Sequence, residues 1–234
     1  MPRKSAKKRP KKAATSRTQA PAERRSYRQY CGLAKAMDAV GERWTLLIAR
    51  DLMLGPRRYG DILKGLGGMT TNLLAARLKD MEGLGIIAKE ALPAPARGSG
   101  YALTAAGREL EPALLALGKW GWRFMGKPDP EDALNPAWAL FALKRRYRGV
   151  TRPLVAELEI GGRIFQYRLE AGYPDLREGS PWLPDFHARG DFTAFGAMML
   201  QGASAAGLAA AGRLTVTGSA DAWLDFLKAF DLPA

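Results

Sequence analysis

Residues 57–103 of this 234-residue chain read RRYGDILKGLGGMTTNLLAARLKDMEGLGIIAKEALPAPARGSGYAL. The pattern predicts a short helix, a glycine-rich turn and a second helix that opens at Thr70–Thr71. Apolar residues recur at helical spacing in the second helix, at Leu74, Leu78 and Met81. Two candidate strands follow, Ile86–Leu92 and Tyr101–Thr104. This stretch decides the fold of the first half.

The order helix, turn, helix, strand, loop, strand is typical of a winged helix-turn-helix, whose second helix enters the major groove of DNA. Thr70 is placed to cap that helix with its hydroxyl, and PAPARGSG at 93–100 is the predicted wing tip. The helix face opposite the apolar one is small and polar, and carries Thr71, Asn72, Ala75, Ala76 and Lys79, with Arg77 at its edge.

Charge is distributed unevenly along the chain, whose formal net charge is +13. The first 25 residues carry +9, residues 26–126 carry +5 and residues 127–234 carry −1. Attraction for a polyanion therefore belongs to the first half. The first 25 residues have no large apolar side chain after Met1, which predicts disorder. This segment could lie along DNA phosphates or only keep the chain in solution.

The composition excludes several classes of protein. No apolar run approaches the roughly 18 to 20 residues that span a bilayer, so no membrane partner is expected. The basic N-terminus leads into no apolar secretory segment, which indicates a cytoplasmic protein. One cysteine, Cys31, and one histidine, His187, argue against a metal site, and no cofactor is expected.

Helices flank the quoted stretch on both sides. Residues 31–54 predict two helices separated near Gly41, with Leu33 and Leu47 among their packing residues. Thr104 is expected to cap a further helix that carries apolar residues from Leu110 to Phe124. That helix has more apolar surface than a three-helix domain needs, so part of it is expected to face a second subunit.

These residues match a known family. The segments YCGLAKAMDAVGERWTLLIARDLMLGPRRYGDIL, LLAARLKDMEGLGII and YALTAAGRELEPALLALGKWG resemble the HxlR-type winged helix-turn-helix transcriptional regulators, over about residues 30–122. The resemblance rests on the Gly-x-(Lys/Arg)-Trp, Gly-Pro-Arg-Arg-(Phe/Tyr) and Leu-Thr-x-x-Gly-(Arg/Lys) motifs. It implies that operator DNA is bound by a two-fold dimer paired through the N- and C-terminal helices.

By this resemblance the recognition helix is Thr71–Gly83, with Thr71, Asn72 and Arg77 on its DNA-facing positions and Arg97 on the wing. The other predicted DNA-binding residues are Arg57, Arg58 and Lys79. Ala75 and Ala76 stand where the family often has long polar side chains, and alanine cannot form a side-chain hydrogen bond. Base recognition is therefore expected to depend on Asn72, whose amide can pair with adenine. Phosphate contacts, or ordinary solvated charges, are the alternatives for Arg57, Arg58, Lys64 and Lys79.

Cys31 begins the first predicted helix and is a candidate redox sensor. The resemblance implies this role, because some family members sense oxidants or electrophiles through a cysteine at this place. A thiol at a helix N-terminus near Arg28 and Lys35 would have a lowered pKa and react more readily. The alternative is a small core residue.

The sequence pattern changes from Asn135 onward, where alternating, strand-like segments appear. Strands are predicted at Leu154–Ile160, Ile164–Leu169, Asp185–Arg189 and Arg213–Thr217, and helices at Phe192–Gln201, Ala203–Ala210 and Asp221–Phe230. The segment FHARGDFTAFGAMMLQGASAAGLAAAGRLTVTGSADAWLDFLKAF resembles the C-terminal half of sterol-carrier-protein-2-like domains. That resemblance implies an apolar tunnel, with candidate lining residues Phe165, Trp182, Phe192, Phe195, Met198 and Met199. The alternative is that these residues form the core.

The sequence therefore predicts an α+β chain. We expect a disordered basic tail at 1–25, a winged-helix domain for DNA binding and dimerisation at 26–126, a linker at 127–134 and a sterol-carrier-like α/β domain at 135–234. The expected function is a homodimeric, sequence-specific transcriptional regulator modulated by a hydrophobic effector. A lipid or small-molecule carrier with a non-specific nucleic-acid tether is the alternative. An enzyme is not expected, since no nucleophile–base, metal or phosphate-loop constellation is recognisable and His187 lacks a partner at a known spacing.

Overall fold

The computed structural model describes residues 26–92, 97–126, 129, 131–172, 174–181 and 183–234. The predicted basic tail, residues 93–96 of the wing tip and part of the predicted linker lie outside the described residues. The described residues form a mixed α+β structure with a two-stranded sheet and a five-stranded sheet.

The first half is a helix-turn-helix with a wing, as predicted. It contains α1 (Gly32–Val40), α2 (Thr45–Leu52), α3 (Tyr59–Leu66), α4 (Thr71–Gly83), β1 (Ile87–Ala91), β2 (Ser99–Leu103), α5 (Ala105–Arg108) and α6 (Glu111–Gly121). β1 and β2 pair antiparallel, with Ile87 opposite Leu103. The predicted packing face of α4 is buried, at Leu74, Leu78 and Met81.

Two features of this half differ from the prediction. The single helix expected after Thr104 is divided into α5, α6 and a 3₁₀ turn at Trp122–Phe124. Pro112 lies in the first turn of α6; its ring lacks an N–H and collides with the carbonyl four residues earlier, so α5 cannot continue through it. Leu33 and Leu47, expected to pack, are exposed.

The second half is a five-stranded sheet with helices. It contains α7 (Pro136–Leu143), β3 (Leu154–Ile160), β4 (Arg163–Leu169), β5 (Asp175–Glu178), β6 (Phe186–Gly190), α8 (Phe192–Gln201), α9 (Ala205–Ala210), β7 (Leu214–Gly218) and α10 (Ala220–Ala229). The strand order is β5-β4-β3-β6-β7; β3 and β6 run parallel and the other neighbours antiparallel. α7 packs against β5 and α8, and α10 packs against β3 and β6.

α7 and β5 are absent from the prediction. α7 has the sequence PAWALFAL, which is apolar on all sides and so lacks the amphipathic period of a surface helix. A start signal was nevertheless present: the Asn135 side chain accepts from Ala137 N at 3.0 Å, and Pro136 occupies the first turn. β5 has only four residues, too few for a clear alternating pattern.

The two halves are in direct contact through α7. Trp138 Nε1 donates to the buried carboxylate of Asp51 at 3.0 Å, and the Arg50 guanidinium lies 3.9 Å from the centre of the Trp138 ring. Lys144, just after α7, is buried and paired with Glu111 at the start of α6. The second half therefore packs on both α2 and α6 of the winged helix.

Candidate nucleic-acid interface

The exposed face of α4 is the surface that the sequence predicts to contact DNA. Its exposed residues are Thr71, Asn72, Ala75, Ala76 and Lys79. The Thr70 hydroxyl caps the helix as predicted and accepts from Leu73 N at 3.4 Å. Thr71 and Asn72 therefore lie in the first turn, the part of a recognition helix that reaches base edges.

Two hydrogen bonds fix the position of this face relative to α3 and the wing. The Tyr59 hydroxyl of α3 donates to the carbonyl oxygen of Thr71 at 2.6 Å. Arg58 Nη2 donates to the carbonyl oxygen of Arg97, at the described edge of the wing, at 2.6 Å. Arg58 and Arg97 are both exposed. No sequence motif indicates this bond from Tyr59 to α4.

Arg77 does not share the exposed face of α4. Its guanidinium pairs with Asp80 at 3.0 Å and with Glu42, in the α1–α2 turn, at 2.8 Å. The side chain is only 17% exposed. The helical wheel places Arg77 at the edge of the predicted DNA face, and the two carboxylates draw it away from that face.

Arg57 is held at the base of the wing by the second half of the chain. Its backbone pairs with Tyr101 of β2, and its Nε donates to the carbonyl oxygen of Asp51 at 3.0 Å. Its Nη2 lies 2.5 Å from Glu178 Oε2, at the end of β5. Arg163 also pairs with Glu178, at 2.7 Å. The sequence prediction of a phosphate contact did not include this carboxylate.

Comparison with known proteins agrees with this geometry. The family model of the HxlR-like helix-turn-helix matches residues 39–129. The HTH-type transcriptional regulator sll1512 of Synechocystis sp. is 36% identical over 104 residues, which cover 44% of this chain and 77% of that protein. The chain belongs to the HxlR-like helix-turn-helix family. It is a helix-turn-helix transcriptional regulator, as predicted, and no enzymatic family is indicated.

Other relatives of this HxlR-like protein show the same extent of similarity. Rv3095 of Mycobacterium tuberculosis is 34% identical over 97 residues, which cover 42% of this chain and 61% of that protein. YodB of Bacillus subtilis is 30% identical over 92 residues, or 39% of this chain and 82% of YodB. The structure of reduced YodB aligns with 43% of this chain and all of its own, at 29% identity and a TM-score of 0.36.

Cys31 lies at the N-terminus of α1 of the HxlR-like unit and is exposed. The backbone N–H groups of Ala34 and Leu33 lower the pKa of its thiol below the ordinary value, because they stabilise the thiolate. The alternative of a buried core cysteine is therefore wrong, while a role in sensing stays a prediction.

The C-terminal end of the HxlR-like unit exposes large apolar side chains. These are Leu117, Trp120, Trp122, Phe124 and Met125. The rings of Trp120 and Phe124 meet edge to face, with centroids 4.9 Å apart. This strip is the surface that the sequence assigns to a second subunit.

The predicted ligand-binding residues of the second half lie mainly in its core. Phe165, Phe195, Met198 and Met199 are buried, Phe192 is partly buried, and Trp182 lies outside the described residues. A cavity of about 390 Å³ lies elsewhere on the second half, and its lining is polar and mostly charged: Gln166, Arg168, Glu170, Asp175 and Arg177. None of the five predicted ligand residues that the structure describes lines it.

The described residues contain no cluster of three or more histidine, cysteine or acidic side chains that could hold a metal ion. His187 lies on β6, exposed, with Nδ1 2.8 Å from Glu157 Oε1 on the neighbouring strand. Within the described part of the chain, no helix is long and apolar enough to cross a membrane.

Proposed function

We propose that this HxlR-like protein is a homodimeric, sequence-specific regulator that recognises operator DNA with the exposed face of α4. The observation that carries the proposal is that face: Thr71 and Asn72 are exposed in its first turn, where recognition helices contact base edges. Arg58, Lys79 and Arg97 are exposed around it and are suited to bind phosphates, which position a protein on DNA without selecting sequence.

Base recognition in this proposal depends on few side chains. Ala75 and Ala76 occupy the middle of the exposed face and can contact only a thymine methyl. Asn72 is the residue that can pair bidentately with adenine, which discriminates by about 1–3 kcal/mol. Arg77 is assigned to holding α4 against the α1–α2 turn, since both its bonds are to Glu42 and Asp80.

In vitro selection of bound DNA from a random pool tests the recognition face. The full chain is expected to enrich a two-fold symmetric site at about 0.15 M salt. With Asn72→Ala, preference at one symmetric base pair is lost while general affinity remains. Lys79→Gln is the matched control, and should weaken all sequences alike. If the wild-type chain enriches no sequence over random duplex, the proposed function fails.

The homodimer is supported by the exposed apolar strip from Leu117 to Met125. Exposed apolar patches of this kind mark interaction sites, and the family resemblance implies pairing through this end of the unit. Sedimentation is expected to show a dimer, and the double variant Trp120→Ser, Phe124→Ser is expected to sediment as a monomer. A wild-type monomer at micromolar concentration would reject this part of the proposal.

We also propose that residues 135–234 form a domain of their own, joined through 127–134 to a winged-helix domain at 26–126, and that this domain binds a hydrophobic effector. The support is its resemblance to sterol-carrier-protein-2-like domains, whose order of elements is matched by β6, α8, α9, β7 and α10. Because Phe165, Phe195 and Met198 are buried, an apolar ligand would have to move α8 from the sheet. The ligand must also bind the DNA-competent state with a different affinity, or it would regulate nothing.

A fluorescent fatty-acid analogue tests the effector. Binding is expected to raise the unfolding temperature and to change the affinity for the selected DNA. If the analogue binds and no DNA sequence is preferred, the carrier alternative replaces the regulator, although the known relatives do not favour it. If no apolar probe binds, only the effector part of the proposal is lost.

A further inference from the structure

The second half of the chain places a carboxylate against Arg57, an arginine that the sequence predicts to contact DNA. Glu178 Oε2 lies 2.5 Å from Arg57 Nη2. This ion pair joins the end of β5 to the base of the wing. A carboxylate and a phosphate offer the same oxygen acceptors to the planar fork of an arginine. Glu178 can therefore accept a hydrogen bond from the Arg57 guanidinium in the absence of DNA.

Arg57 lies in the corner of the molecule where the proposed phosphate contacts converge. It directly precedes Arg58, the N-cap of α3, and Arg58 in turn contacts the wing at Arg97. The backbone of Arg57 is paired with Tyr101 of the wing strand β2. Arg57 differs from its exposed neighbour because its Nε is held by the carbonyl oxygen of Asp51 and its Nη2 is turned toward Glu178.

The pair is accessible to solvent from the Glu178 side. The Glu178 side chain is 35% exposed, so water and ions reach its carboxylate and screen the pair, whereas the Arg57 side chain is 17% exposed. Glu178 also has a second cation, Arg163, at 2.7 Å. Its charge therefore stays compensated when Arg57 leaves.

We propose that Glu178 is an autoinhibitory group, which withholds Arg57 from DNA phosphate while the second half is docked on the winged helix. The proposal rests on the DNA binding proposed above and assigns one of its regulatory contacts. A movement of β5 away from the wing frees Arg57 and adds one phosphate contact per protomer. The second half then controls affinity without touching DNA.

The dependence of DNA binding on salt measures this contact directly. Each phosphate contact contributes about 0.9 to the slope of log affinity against log salt. Glu178→Gln is expected to steepen the slope by about 0.9 per protomer. For a dimer, the ratio of affinities at 50 and 200 mM salt then rises about 12-fold.

Two further variants separate this mechanism from a general change of charge. Arg57→Gln combined with Glu178→Gln should return the slope to the wild-type value, because the freed arginine is gone. Glu159→Gln, which frees Arg189 from its bidentate pair, removes the same charge on β3, where the partner is Arg189 instead of Arg57, and should leave the slope unchanged. Circular dichroism checks folding, and Glu178→Asp replaces Glu178→Gln if that variant unfolds.

The outcomes are distinct. The proposal is overturned if the salt slope of Glu178→Gln equals that of the wild type. It is also overturned if Glu159→Gln steepens the slope equally, or if the slope stays steeper in the double variant. Wild-type protein that binds no DNA overturns the proposed function instead. If the slope steepens in Glu178→Gln but not in Glu159→Gln, and Arg57→Gln cancels that change, Glu178 is confirmed to hold Arg57 away from DNA.

Discussion

Two surfaces of the winged helix carry the same kinds of residue but have different surroundings. The free surface is formed by the exposed residues of α4 together with Arg58 and Arg97, and no other part of the described chain covers Thr71 and Asn72. The covered surface, formed by α2 and the start of α3, lies against α7 and β5, and its charged groups are Arg50, Asp51 and Arg57. A neighbouring element, rather than residue type, therefore decides whether a cation of the winged helix is exposed.

Arg57 and Arg58 show this difference within two residues. Arg58 is exposed beside the wing, whereas Arg57 is turned toward a carboxylate 121 positions later in the chain. In a winged helix without a second half, both would be candidates for phosphate contact. Contact with the second half turns only Arg57 toward a carboxylate.

The largest expected effect comes from the covered surface. Asp51→Asn leaves the Arg50 guanidinium beside the Trp138 ring without its carboxylate, and a broken buried ion pair costs about 3 kcal/mol. Urea unfolding should show that loss in the free energy of unfolding. Asp225→Asn, in the exposed pair with Arg152, is the matched control and should cost under about 1 kcal/mol. Equal losses would show that the covered surface is not a tightly packed contact.

Arg77 and Lys79 are two cations of α4 that differ in exposure and are expected to differ in role. Arg77→Gln should lower the free energy of unfolding by about 1 kcal/mol, because it loses Glu42 and Asp80, and should leave the salt slope of DNA binding unchanged. Lys79→Gln should leave the free energy of unfolding unchanged and should lower the salt slope by about 0.9 per protomer. If Arg77→Gln also lowers the slope, the prediction is wrong, and Arg77 leaves Glu42 and Asp80 to contact DNA.

The smallest expected effect concerns Cys31, which lies outside both surfaces. Its thiol pKa is lowered by the N–H groups of Ala34 and Leu33, so its rate of maleimide labelling should reach half-maximum at a lower pH than that of the same chain unfolded in urea. The unfolded chain is the control, because it lacks the α1 N-terminus. A midpoint at or above the ordinary thiol value contradicts the sensor prediction.

The sequence predicts the free surface better than the covered one, for a physical reason. The bounds of α4 follow from local signals, since Leu74, Leu78 and Met81 set its period and Thr70 caps it. The contacts of Arg57 and Trp138 are made across the fold, with partners 121 and 87 positions away. No local pattern encodes such pairings.

The same limit explains the second half. Its alternating strands β3 and β4 follow from period-2 patterns, whereas α7 is apolar on every side and offers no period. Phe165 and Met198 are apolar residues whose type fits a tunnel and a core equally well, and the structure places them in the core. Their burial depends on how the helices pack against the sheet and one another, which composition does not specify.

The central claim is that adjacent arginines serve different surfaces, and one pair of variants tests it most directly. Arg57→Gln and Arg58→Gln are compared in salt titrations on the same selected duplex by fluorescence anisotropy. Arg58→Gln should lower the slope by about 0.9 per protomer, while Arg57→Gln should leave it at the wild-type value. Equal losses of slope in the two variants would contradict the account.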